Sequence, residues 1–61
     1  MPVVQIEMIK GRTLQQKRDM VQKVTDALVD TIQCKKEAVT IVIREVDKEN
    51  IAKAGVLHSD M

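Results

Sequence analysis

From Val3 to Ile9 apolar and polar positions alternate. Val4, Ile6 and Met8 fall on one face, and Val3, Gln5, Glu7 and Ile9 on the other, with the polar residues in the middle. A period of two predicts a strand. Lys10-Gly11-Arg12 breaks the alternation, and Gly11 supplies the backbone freedom needed to leave a strand. The spacing of apolar residues then lengthens to three and four. Leu14, Met20, Val21, Val24, Ala27, Leu28 and Ile32 form one stripe, which predicts a helix ending near Ile32. Gln15, Asp19, Gln22, Lys23, Asp26 and Asp30 take the opposite side, with Asp19 and Lys23 spaced for a weak i,i+4 pair. Thr13 caps the helix start, and Gln16, three residues on, completes a capping box. Gln33 to Glu37 is a short polar connection.

Ala38 to Val46 predicts a second strand. Val39, Ile41 and Ile43 share one face, and Thr40, Val42 and Arg44 the other. Such a mostly apolar run fits a strand covered on both sides. Asp47-Lys48-Glu49-Asn50 is a polar turn, and the tail from Ile51 to Met61 bends around Gly55, placed to reach a neighbouring subunit. Strand, helix, strand is one β-α-β unit, with parallel strands and a right-handed crossover. The fold class is α/β (α+β), in one domain over residues 1–61.

Composition changes this picture in one respect. The chain has 61 residues, is 44% hydrophobic and has no Phe, Tyr or Trp. A chain this short buries only about 60% of its unfolded surface when it folds alone. Two strands and one helix are marginal in isolation. Cys34 is the only cysteine, so no internal disulfide compensates. The remaining apolar surface predicts a homo-oligomer.

Charge and motifs then exclude several classes. Ten basic and nine acidic residues are interspersed, for a net charge of +1. Nucleic-acid binding needs a basic stripe, which is missing. Lys35-Lys36 is a solvated loop. Ala38 to Ile43 is too short to span a bilayer. His58 is the only histidine, so there is no Cys/His ligand set for a metal. It reads as a solvated tail residue. Met8 and Met20 read as core filler. Glu7 and Glu45 could form a carboxylate pair, although nothing in their spacing demands it. The chain opens without a basic segment followed by an apolar run, so no export signal is expected. With a lone thiol, that points to the cytoplasm.

Pro2 has two readings. Proline is tolerated as the first residue of a strand, where its missing N–H is not needed. Loss of Met1 would instead turn its nitrogen into a free secondary amine, and so into a base. With Met1 retained that nitrogen is an amide. The features Met1-Pro2, the alternating strand, Gly11-Arg12-Thr13, Gln16-Lys17, one long helix and a second strand near position 40 occur together here. Ala54-Gly55 and Ser59-Asp60 follow in the tail. In these features the chain resembles the 4-oxalocrotonate tautomerase family of small 2-hydroxymuconate tautomerase-like proteins. The resemblance covers nearly the whole chain and rests on the combination rather than on any single motif.

The resemblance implies a β-α-β subunit assembled as a hexamer, usually a trimer of dimers. It implies cofactor-free tautomerisation of small unsaturated 2-hydroxy or 2-oxo acids, with no metal. Pro2 corresponds to the family's catalytic base, and Arg12 to an arginine that binds a substrate carboxylate. Two positions depart from the family pattern. Thr40 stands where a second arginine polarises the substrate, and Ile51 where an aromatic walls the pocket. Arg44 shares the strand face of Thr40 but lies roughly 13 Å along it.

This chemistry needs a base with a pKa near the working pH. An apolar surround and a nearby cation both lower an amine's pKa. Val3, Val4, Ile41 and Ile51 are candidates for the first and Arg12 for the second. The planar fork of Arg12 suits two-point contact with a carboxylate. Two alternatives stand beside the tautomerase. One is hydration or dehalogenation of an unsaturated acid, with Pro2 as acid. The other is a non-catalytic oligomeric module, motivated by Thr40 and Ile51.

Overall fold

The computed structural model describes all 61 residues, Met1–Met61. Strand β1 spans Val3–Ile9, helix α1 Leu14–Ile32 and strand β2 Thr40–Val46. Two short strands, β3 (Ala52–Lys53) and β4 (Val56–Leu57), form an antiparallel hairpin in the tail. Single 3-10 turns occupy Lys36–Ala38, Lys48–Asn50 and His58–Asp60.

β1 and β2 pair in parallel, from Val3 opposite Thr40 to Ile9 opposite Val46. The alternation predicted for β1 is present, and β2 repeats it in register. Val4, Ile6, Met8, Ile41, Ile43 and Glu45 are half-buried, whereas Val3, Gln5, Glu7, Thr40, Val42 and Arg44 are exposed. One face of the sheet is therefore shielded and the other is open. The single subunit does not cover β2 on both sides, as the apolar run had predicted. No side chain is fully buried.

The helix starts as its sequence dictates. Thr13 Oγ1 accepts a hydrogen bond from the Gln16 amide at 3.1 Å, and Gln16 Oε1 accepts from the Thr13 amide at 2.9 Å. These bonds satisfy donors that the first turn leaves free. Gln33 ends the helix in the left-handed region, at φ 58°. Asp19 accepts from Gln15 Nε2 at 3.0 Å, and no ion pair with Lys23 forms.

The apolar stripe needs correction at three places. Leu14, Ala27 and Ile32 are exposed, while Lys17, Thr25 and Val29 belong to the half-buried side. Length accounts for the ends. A 19-residue helix is roughly 28 Å long and a seven-residue strand roughly 23 Å. The helix therefore overhangs the strands by roughly 5 Å in all, which leaves its terminal residues Leu14 and Ile32 uncovered.

β2 begins at Thr40 rather than Ala38. The amides of Ala38 and Val39 donate to the carbonyls of Lys35 and Lys36, which closes a tight turn over the first two expected strand residues. In the tail, Ala54 (φ 53°) and Gly55 (φ 80°) both have positive φ. That pair of values marks the two-residue turn whose twist suits a hairpin.

Candidate active site

The head of the sheet holds Pro2. It is half-buried, and its carbonyl accepts a hydrogen bond from the Thr40 amide at 3.1 Å. This bond extends the parallel ladder by one residue and fixes the start of the chain against β2. Val3 and Val4 follow on β1, opposite Thr40 and Ile41. Met1 precedes Pro2 and is 91% exposed, so the fold does not depend on its side chain.

The foot of the sheet holds Arg12. Lys10 leaves β1 there, with its amide donating to the Val46 carbonyl at 3.0 Å and its ammonium 3.2 Å from Asp47 Oδ1. Arg12 follows Gly11, whose φ of 134° suits only glycine and turns the chain toward the helix. A cavity of about 200 Å³ opens here, lined by Met8, Arg12, Gln16, Lys17 and Met20. The Arg12 guanidinium has no carboxylate partner.

Within one subunit Pro2 and Arg12 therefore sit at opposite ends of β1. Six strand steps, roughly 20 Å, separate Val3 from Ile9 between them. Arg12 cannot act on the Pro2 of its own chain. Thr40 is the sequence-derived candidate that the fold brings to Pro2. Ile51 begins the tail, which leaves from the Arg12 end of the sheet. Ile51 is 39% exposed, and its carbonyl accepts from the His58 amide at 2.8 Å, which pins the base of the hairpin.

Glu7 and Glu45 do not form a pair. Glu7 is on the open face, 3.3 Å from Arg44 Nη1, its cross-strand partner in the ladder. Glu45 is on the helix side, with Oε1 2.8 Å from Lys17 Nζ. Sequence reasoning named Glu45 only beside Glu7 and missed its pairing with Lys17. The signal was present in the spacing. Glu45 continues the row of Ile41 and Ile43, and Lys17 lies three residues after Leu14 and four before Val21. No group of three or more His, Cys, Asp and Glu side chains is placed to hold a metal ion. No helix is long and apolar enough to cross a membrane.

A family described as tautomerase enzyme matches residues 2–61 of this chain. The chain belongs to the tautomerase family. The 2-hydroxymuconate tautomerase of Bacillus subtilis strain 168 is 43% identical over 61 residues, covering 100% of this chain and 98% of that one. Among solved structures, YwhB, a homologue of 4-oxalocrotonate tautomerase, superposes with a TM-score of 0.94 at 42% identity, covering 98% of each chain. A 4-oxalocrotonate tautomerase isozyme from Methylibium petroleiphilum gives a TM-score of 0.94 at 34% identity, covering 97% of this chain and 92% of that chain. The resemblance carried by Met1-Pro2 and Gly11-Arg12-Thr13 thus holds. The tautomerase fold here has parallel β1 and β2, one long helix and a C-terminal hairpin. By family the protein is an enzyme of the tautomerase class.

Proposed function

We infer that this tautomerase interconverts small unsaturated 2-hydroxy and 2-oxo acids, such as 2-hydroxymuconate, without a cofactor. Pro2 is the proton shuttle once Met1 is removed. One observation carries the reading: Pro2 is held half-buried by the Thr40 amide, behind a single exposed residue. Trimming that residue creates a secondary amine at a fixed position. The relative named 2-hydroxymuconate tautomerase supports the substrate class.

In this mechanism the Pro2 nitrogen takes the proton of the 2-hydroxyl group. Electrons shift along the conjugated system, and the same nitrogen returns a proton to carbon. The nitrogen must be uncharged to begin, so activity falls as pH drops through its pKa. Arg12 holds the substrate carboxylate through its two-point fork. Thr40 offers its hydroxyl to the oxo end, and Ile51 walls the pocket.

The opposite ends of β1 support an assembly in which Arg12 of one copy meets Pro2 of another, and we read the working enzyme as a homo-oligomer. A hexamer built as a trimer of dimers is the form we favour, with each 61-residue chain acting as one domain. The open sheet face and the exposed Leu14, Ile32, Val56 and Leu57 provide the apolar surface for it. A cytoplasmic location fits the lone thiol of Cys34.

The test combines intact mass with a kinetic assay. Mass spectrometry establishes whether the purified chain starts at Pro2. The trimmed, assembled protein is then mixed with 2-hydroxymuconate, and its ultraviolet absorbance is followed. Turnover above the buffer rate supports the reading. A Pro2-first protein without acceleration rejects this substrate.

A further inference from the structure

The cavity beside Arg12 has a second cation on its wall, Lys17, which the mechanism above does not use. The two cations differ in their partners. Arg12 has none, whereas Lys17 Nζ lies 2.8 Å from Glu45 Oε1. That pair is shielded, with side chains 24% and 28% exposed, and it joins the helix to β2. A half-buried pair is screened less by salt than a surface one. Glu45 does not line the cavity itself, so it acts there through Lys17.

Summing these three side chains gives a local charge of +1: two cations less one carboxylate. Without Glu45 it would be +2. The Gln16 side chain is neutral, and its Oε1 is committed to the Thr13 amide at 2.9 Å. Its Nε2 remains free to donate.

We propose that Glu45 is a specificity-determining, positioning residue, which neutralises Lys17 and so removes from the Arg12 cavity the second positive charge that would raise its affinity for a doubly charged phosphate-like end relative to a singly charged carboxylate. The proposal rests on the reading of Arg12 as a carboxylate site. It adds which anionic ends that site prefers, and why.

The test uses two ligands with one skeleton, acrylate and vinylphosphonate, at a pH where the phosphonate is doubly ionised. Their dissociation constants are measured on the assembled protein by NMR titration of the Arg12 and Gln16 side-chain resonances, which needs no turnover. The wild-type ratio of the two constants is the reference. Glu45→Gln shifts the ratio of the two constants toward the phosphonate by about three- to tenfold, the size Coulomb's law gives for one added charge near a wet pocket. High salt reduces that shift. Lys17→Gln combined with Glu45→Gln returns the ratio to the wild-type value.

A purely structural role for Glu45 would weaken both ligands alike and leave the ratio fixed. That outcome overturns the proposal, as does a double variant that keeps the altered ratio. Arg12→Ala separates this proposal from the reading beneath it. Unchanged affinities in that variant would remove the anion site itself. Affinities that depend on Arg12, with an unmoved ratio in Glu45→Gln, would overturn the charge setting alone.

Discussion

A proline and an arginine carry most of the chemistry proposed here, and each is defined by what surrounds it. Pro2 is fixed through its carbonyl by the Thr40 amide. Its nitrogen is an amide while Met1 is attached and a secondary amine once Met1 is removed. Pro2→Ala keeps a terminal amine but loses the stiff ring that directs the lone pair. We expect kcat to fall by up to about a hundredfold, at the low end of what general acid–base catalysis contributes. A wild-type rate in a variant shown by mass to begin at Ala would refute the shuttle. Arg12 lines a cavity and has no partner in the subunit. Arg12→Ala should lower kcat/KM by roughly two to three orders of magnitude, the usual effect of losing one stabilising donor. Arg12→Lys recovers only part of this loss, because an ammonium lacks the planar fork.

The elements form from local signals, and those signals can be tested separately. Thr13 and Gln16 close a reciprocal cap on α1. Thr13→Ala should destabilise the protein by about 1 kcal/mol, read as a shift in denaturant midpoint. The cap was legible because both partners are fixed by a three-residue spacing. The tail hairpin was less legible. It turns through Ala54 at φ 53°, a conformation that an alanine side chain disfavours. Ala54→Asn places Asn before Gly55, the pair this turn prefers. We expect a higher melting temperature, and a lower one would mean that the turn is not formed. The helix stripe failed at its ends, Leu14 and Ile32, since periodicity records angle around the axis but not how far the neighbouring strands extend.

At the scale of the whole molecule, one chain leaves much of its apolar surface uncovered. It measures 42 × 24 × 14 Å, has no fully buried side chain and leaves one sheet face open. Val3 and Val42 lie on that face, 56% and 44% exposed. Val42→Lys should shift the protein to smaller species in sedimentation and remove activity with them. Wild-type size in that variant would mean that copies do not meet there. The separation of Pro2 from Arg12 yields a sharper test. Pro2→Ala and Arg12→Ala subunits, each impaired alone, should regain activity when unfolded together and refolded as mixed oligomers. Mixed assemblies with no gain would place both groups in one chain's site, against the geometry of β1.

The sequence by itself determined the order of elements, the faces of β1 and the helix cap, because each depends on neighbours two to four residues apart. It also carried the family, through the joint positions of Pro2, Gly11 and Arg12. Tertiary structure decided which groups meet. Parallel pairing set Thr40 beside Pro2, parted Glu7 from Glu45 onto opposite faces and brought Lys17 to Glu45. It also put Arg12 a strand's length from the proline it was expected to assist. Proximity across a sheet depends on register and chain direction, and neither can be read from spacing along one chain.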